Sequence, residues 1–313
     1  MNSHWARVGE SGTIAGMQIM VFIQRRLGRW PFQLVLWPVI FWYFVTQSSA
    51  RRVSQDYLTR LDPELKHKPL SCLWRSYRHF LAFGGALMDK VAAWSGSITE
   101  EQLTGKGFEA FSSAIEQGRG GIILVSHHGN LDVANSMARS QPTLQMTVLM
   151  HTRNAGKFNE ILKRVAGQTR PDILEVTEIT PGTAQDMAER IAQGGFVVIA
   201  ADRIPVSGER MRAVPFLGAP ALFPEGPFLL ATLLRCPVYE LSCVRVGDRF
   251  QIDFTLFGDT VGLPRREREA WIADTMQRYA DGLAEKVRKQ PLQWFNFYPF
   301  WLNDNEQLHD TTA

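Results

Sequence analysis

From residue 120 onward, short apolar runs alternate with amphipathic stretches. Gly120-Gly121 leads into the β-branched run IILVS, which ends at His127. Residues 131–140 then carry a helical pattern. TVLMH (147–151) predicts a second strand, followed by a helix to about Ala166. ILEVTE (173–178) predicts a third strand and AQDMAERIAQ (184–193) a helix; after the turn at Gly194-Gly195, FVVIAAD (196–202) predicts a fourth strand. Strands separated by helices of crossover length predict a parallel sheet. VYELSCVRV (238–246) and RFQIDFTLF (249–257), joined by Gly247-Asp248, predict an antiparallel hairpin. The expected fold is therefore α/β, with a mixed, mostly parallel sheet flanked by helices. A long polar helix is expected from Arg265 to Lys289, then an aromatic tail, PLQWFNFYPFW (291–301).

The N-terminal part is different. Residues 14–23 are mostly apolar, Arg25, Arg26 and Arg29 follow, and Leu34 to Val45 runs for twelve residues without a charged side chain before Arg51 and Arg52. A straight bilayer crossing needs about 20 apolar residues. The shorter run, with Trp30, Trp37, Trp42 and Tyr43 at headgroup-compatible positions, predicts a helical anchor that lies in or re-enters the interface. A buried core helix and a cleaved signal peptide ending near Ser48-Ser49-Ala50 are the other readings of this segment. Residues 1–50 are thus expected to form the anchor, and 51–313 a single domain with basic helices at its start.

Composition narrows the function. A net charge of +3 over 313 residues excludes a phosphate-binding stripe, so nucleic acid is not expected as a partner. Hydrophobic residues make up 45%, enough for a sizeable core. Cys72, Cys236 and Cys243 have neither the number nor the spacing of a disulfide framework or zinc ribbon. Basic clusters at Lys163–Arg164, Arg210 with Arg212, Arg265–Arg266–Arg268 and Arg288–Lys289 suit anionic lipids or an acidic carrier, or else a solvated helix face.

The chemistry concentrates in SHHGNLD (126–132), where a buried strand gives way to a helix. The carboxyl edge of an open α/β sheet is where sites are built. His127 and Asp132 are spaced so that a carboxylate in the first helical turn can fold back on the imidazole, fix its tautomer and leave one nitrogen as a general base. His128, Gly129 and Asn130 would line the substrate-facing turn, with Gly129 letting substrate approach the backbone. No G-x-S-x-G elbow occurs, so direct attack by an activated acceptor is expected rather than an acyl-enzyme. The same histidines admit a helix-capping role, or a metal site completed by His151; no metal or other cofactor is expected.

The His-x4-Asp at a strand end resembles the lysophospholipid acyltransferase superfamily. More closely, the chain is similar to the bacterial lipid A biosynthesis acyltransferase family. The shared blocks are SHHGNLD, TVLMHTRNAGKFN (147–159), AADRIPVSGERMRAVPFLGAPA (200–221), PEGPFLLATLLRCPV (224–238) and QPLQWFNFYPFW (290–301). The resemblance implies a glycerolipid-acyltransferase-like fold with an N-terminal hydrophobic anchor. It implies His127 as base and Asp132 as its partner. Arg153, Asn154 and Lys157 would line the acceptor or a donor phosphate. Arg203, with Asp202, would clamp an anionic headgroup or the phosphopantetheine phosphate; a structural ion pair is the alternative reading of Asp202 and Arg203. Gln293 and Trp294 match the C-terminal signature and read as packing. The implied donor is an acyl carrier protein or acyl-CoA thioester, and the acceptor a hydroxyl of a membrane lipid or glycolipid. The place would be the cytoplasmic face of a bacterial inner membrane. Lipid A enzymes usually carry Glu where this chain has Asp132, so the acceptor stays open.

Overall fold

The computed structural model describes residues 29–94, 96–137, 145–150, 172–175, 180–203 and 210–302. The helices are α1 (Arg29–Thr46), α2 (Ser48–Leu61), α3 (Pro69–Trp94), α4 (Gly107–Glu116), α5 (Leu131–Met137), α6 (Pro181–Ala192), α7 (Gly226–Leu234) and α8 (Arg268–Lys289). The strands are β1 (Leu103–Thr104), β2 (Gly121–Val125), β3 (Met146–Met150), β4 (Asp172–Glu175), β5 (Phe196–Ala200), β6 (Met211–Phe216), β7 (Ala219–Pro224), β8 (Pro237–Val246) and β9 (Arg249–Asp259).

Seven strands form one sheet in the order β1-β9-β8-β2-β5-β3-β4. The β8/β9 pair is antiparallel and every other pair in this sheet is parallel. The expected mixed, mostly parallel sheet is therefore present. A separate two-stranded ribbon, β6/β7, was not foreseen; its strands carry Pro215, Pro220 and Pro224, which a ribbon without outer neighbours tolerates.

β2 is buried along its whole length, as a central parallel strand with covered faces must be. Successive side chains leave it in opposite directions. Ile122 and Leu124 join the core on the α8 side with Met276, Tyr279 and Leu283, while Ile123 and Val125 join Phe111, Val133 and Val198 on the other. The aromatic tail packs into the α8-side core, where Trp294 lies edge-on to Phe216 and Phe300.

The apolar N-terminal run is helical throughout α1, with Pro38 inside it. Leu36, Ile40 and Phe44, spaced at one helical turn, pack against Phe80 and Met88 of α3. Gly84 makes this close approach possible, because a Cβ there would sit 3.0 Å from Ile40. The opposite face of α1 exposes Leu34, Trp37, Phe41, Trp42 and Val45. Among the described residues, no helix is long and apolar enough to cross a membrane.

Candidate active site

β2 ends at Val125, and residues 126–130 turn at the carboxyl edge of the sheet before α5 begins. The β5 neighbour delivers Asp202 to the same edge. Nδ1–H of His127 donates to Asp202 Oδ1 at 2.7 Å, and the backbone N–H of His127 donates to Oδ2 at 2.7 Å. Trp294 Nε1–H adds a third donor to Oδ2 at 2.8 Å. The hydroxyl of Tyr298 donates to the Asp202 carbonyl at 3.1 Å.

Asp202 is 1% exposed. Burial alone would raise its pKa, but the facing His127 charge and the three donated hydrogen bonds hold it below the usual carboxylate range. The paired carboxylate fixes His127 as the Nδ1–H tautomer, leaving Nε2 with a lone pair. About a third of the His127 side chain, 29%, is exposed. Its pKa is pushed down by desolvation and by the cations of Arg203 and Lys90, against the pull of Asp202. The imidazole is therefore neutral and able to accept a proton at neutral pH.

Asp132 is not the partner that the spacing suggested. It sits in the first turn of α5, and its Oδ2 lies 3.0 Å from Nζ of Lys90 on α3. The carboxylate reached through sheet pairing takes the His127 ring nitrogen instead. Asp202, expected to act with Arg203 on an anionic group, is turned inward to the imidazole. Arg203 lies with its guanidinium 5.9 Å from the Tyr298 ring centroid, and its charge lowers the His127 pKa.

His128 and Gly129 depart from the substrate-facing role expected of them. The His128 side chain is buried, and its Nε2–H donates to the Gln290 carbonyl at 3.2 Å. Desolvation lowers its pKa to about 4. Gly129 has φ +85°, and a Cβ there would fall 1.9 Å from the Cys243 carbonyl oxygen. What approaches its backbone is β8, and only glycine permits it. Asn130 donates from Nδ2 to the Ala86 carbonyl at 2.7 Å, pinning the loop to α3. Arg153, Asn154, Lys157 and His151 lie outside the described residues. Among the described residues, no three His, Cys, Asp or Glu side chains are grouped to hold a metal ion.

Sequence reading missed the support given by the C-terminal tail. Gln293 lies against the β8 backbone: its Nε2 donates to the Arg245 carbonyl at 2.8 Å and its Oε1 accepts from the Arg245 N–H at 2.9 Å. Its own carbonyl accepts from Gly129 N–H at 2.8 Å. Trp294 is gripped from the other side by His79 of α3, whose Nε2–H donates to the Trp294 carbonyl at 2.9 Å. The other His79 nitrogen bonds Ser54 of α2 at 3.0 Å, and Ser76 in turn bonds Ser54 at 2.8 Å. Burial lowers the His79 pKa to about 4. A continuous polar chain thus runs from α2 and α3 through Trp294 to Asp202 and His127. The tryptophan in the tail motif was the available signal, since a buried indole N–H needs an acceptor.

The site residues all fall inside a stretch that known proteins share. The chain is 24% identical over 223 residues to a phosphatidylinositol mannoside acyltransferase from Mycolicibacterium smegmatis, a match covering 65% of this chain. The chain spans about 64% of the length of that curated relative. The model of the bacterial lipid A biosynthesis acyltransferases matches residues 74–303, from the first turns of α3 to the end of the aromatic tail, and the chain belongs to that family.

Proposed function

We propose that the protein transfers a fatty acyl group from a thioester of acyl carrier protein or coenzyme A to a hydroxyl of a membrane lipid or glycolipid. The observation that carries this reading is the His127–Asp202 pair, a neutral imidazole with a free nitrogen at the carboxyl edge of the sheet in a chain of this family. Nε2 of His127 takes the proton of the acceptor hydroxyl as its oxygen attacks the thioester carbonyl. Asp202 stabilises the imidazolium that forms. The tetrahedral oxyanion then collapses, the carbon–sulfur bond breaks, and the imidazolium returns its proton to the leaving thiolate. Base catalysis of this kind contributes about 10² to 10⁴ in rate. Arg203 and Lys90, the cations beside His127, suit a phosphate of donor or acceptor.

The exposed face of α1 supports seating on a membrane, with aromatic side chains at headgroup depth. The cytoplasmic side of the inner membrane is the side on which both kinds of thioester are made. The test is incubation of radiolabelled acyl-carrier-protein or coenzyme A thioester with total membrane lipid, comparing wild type and His127→Ala. A labelled lipid formed by wild type and lost in the variant supports the transferase. Free fatty acid as the sole product points to a hydrolase. Equal labelling by both proteins removes His127 from the chemistry.

A further inference from the structure

His127 turns toward β5. On the β8 side of the same loop, a cavity of about 630 Å³ opens between α1, α3, the 245–247 turn and the 290–295 tail. This volume is within the range of sites that enclose small ligands. Gly129 and Asn130 reach it, but His127, Asp202 and Arg203 do not line it, so it is a second site.

Its walls combine two kinds of surface. Leu36, Leu81, Met88, Leu292 and Phe295 supply an apolar interior. Arg75, Arg78 and Arg245 supply cations, and Asp89 is the single lining acid among the described residues. Asp89 is taken by Arg245 at 2.7 Å. Arg75 is shared with Asp62 at 2.8 Å, a pair that is one-third exposed on both sides. Arg78, one helical turn further along α3, is exposed, and among the described residues no carboxylate pairs with it. The local charge is therefore positive and incompletely matched.

The cavity also meets the apolar face of α1. Trp37 both lines it and is 58% exposed. Tyr77 of α3 contacts the rings of Phe41 at 6.0 Å and Trp74 at 5.8 Å, joining the exposed aromatics of α1 and α3 into one surface. A chain entering from a bilayer under that surface would meet both the apolar side chains and the guanidinium groups of this lining.

We propose that this cavity takes one anionic phospholipid from the bilayer, one of its two acyl chains among the apolar side chains and its phosphate on Arg78 and Arg75. This rests on the membrane seating proposed above. Gly85 of α3 offers a direct probe. It lines the cavity, and a Cβ added there meets nothing within 4 Å. Gly85→Leu therefore fills the cavity while improving helix propensity.

The experiment is calorimetric titration of the full chain with dihexanoyl phosphatidylglycerol below its aggregation concentration, and with dihexanoyl phosphatidylcholine. The expected result is binding of the phosphatidylglycerol, weakened about tenfold by Arg78→Gln and lost in Gly85→Leu, whose thermal midpoint is not lowered. Equal binding of the two lipids, or wild-type binding by Gly85→Leu, overturns the site. Sedimentation with phosphatidylcholine vesicles, with and without phosphatidylglycerol, separates the membrane seating. Wild-type protein that binds vesicles, and binds more when phosphatidylglycerol is added, supports the bilayer source. Protein that binds the short-chain lipid but no vesicle overturns that source.

Discussion

Trp294 donates from Nε1 to Oδ2 of Asp202 at 2.8 Å, on the carboxylate whose other oxygen holds the His127 ring at 2.7 Å. The indole thus positions the carboxylate that holds the imidazole. Trp294→Phe keeps most of the ring packing and removes this donor. With one fewer donor, Asp202 is a better proton acceptor, its pull on the His127 proton grows, and the His127 pKa rises. Activity is expected to fall about tenfold, with the acid limb of the kcat/KM profile displaced upward. An unchanged limb in a folded Trp294→Phe protein would reduce the residue to packing.

Asp202 and Asp132 should part company in the same profile. Asp202 raises the His127 pKa. Asp202→Asn is expected to cost about 10² to 10⁴ in kcat and to move the acid limb to lower pH. Asp132→Asn leaves the limb in place even where it lowers the rate through Lys90. A limb that moves with Asp132 and not with Asp202 would return the partnership to the nearer carboxylate.

Arg203 acts in the opposite direction, since its charge lowers the His127 pKa. Arg203→Met should raise the acid limb, and Lys90→Met should do so more weakly. Both should raise KM for any acceptor or donor that carries a phosphate. Kinetics over pH with a thioester lacking phosphate groups separates the two effects.

Two buried imidazoles make the fold sensitive to acid. His79 and His128 have pKa values of about 4 in the folded chain, against 6.5 when free of the fold. The unfolded state takes up protons first, so stability is complete above pH 6.5, falls between there and about 4, and levels below. Each histidine contributes about 3 kcal/mol across that window. Urea unfolding at a series of pH values should show this slope, and His79→Gln should flatten it by one proton. A flat profile between neutral pH and about pH 5 would contradict the assignment.

Much of the fold was legible in the sequence because periodicity marks it. β2, β5 and the β8/β9 hairpin lie where the runs 122–126, 196–202, 238–246 and 249–257 place them, and His127 follows the end of β2 as expected. The partner of His127 was not legible. Asp132 is five residues away, whereas Asp202 comes within reach only because β5 pairs with β2, which no local pattern announces. Trp294 is more distant still, and its indole N–H looks like any other aromatic of the tail until Asp202 is seen beneath it. The β6/β7 ribbon was hidden by its prolines. The apolar run 34–45 announces its hydrophobicity, but its division into a packed face through Leu36, Ile40 and Phe44 and an outward face appears only once α3 lies against it.

The separation of these partners along the chain also bears on when the protein becomes competent. Chains emerge from the ribosome N-terminus first, and early segments settle before later ones exist. His127, its carboxylate and the indole that braces it come from well-spaced stretches, the last in the aromatic tail. A nascent chain without the tail lacks both the Trp294 brace and the Gln293 carbonyl that holds the His loop at Gly129. The His127–Asp202 pair should therefore reach its final geometry only once the tail has packed, in one concerted step.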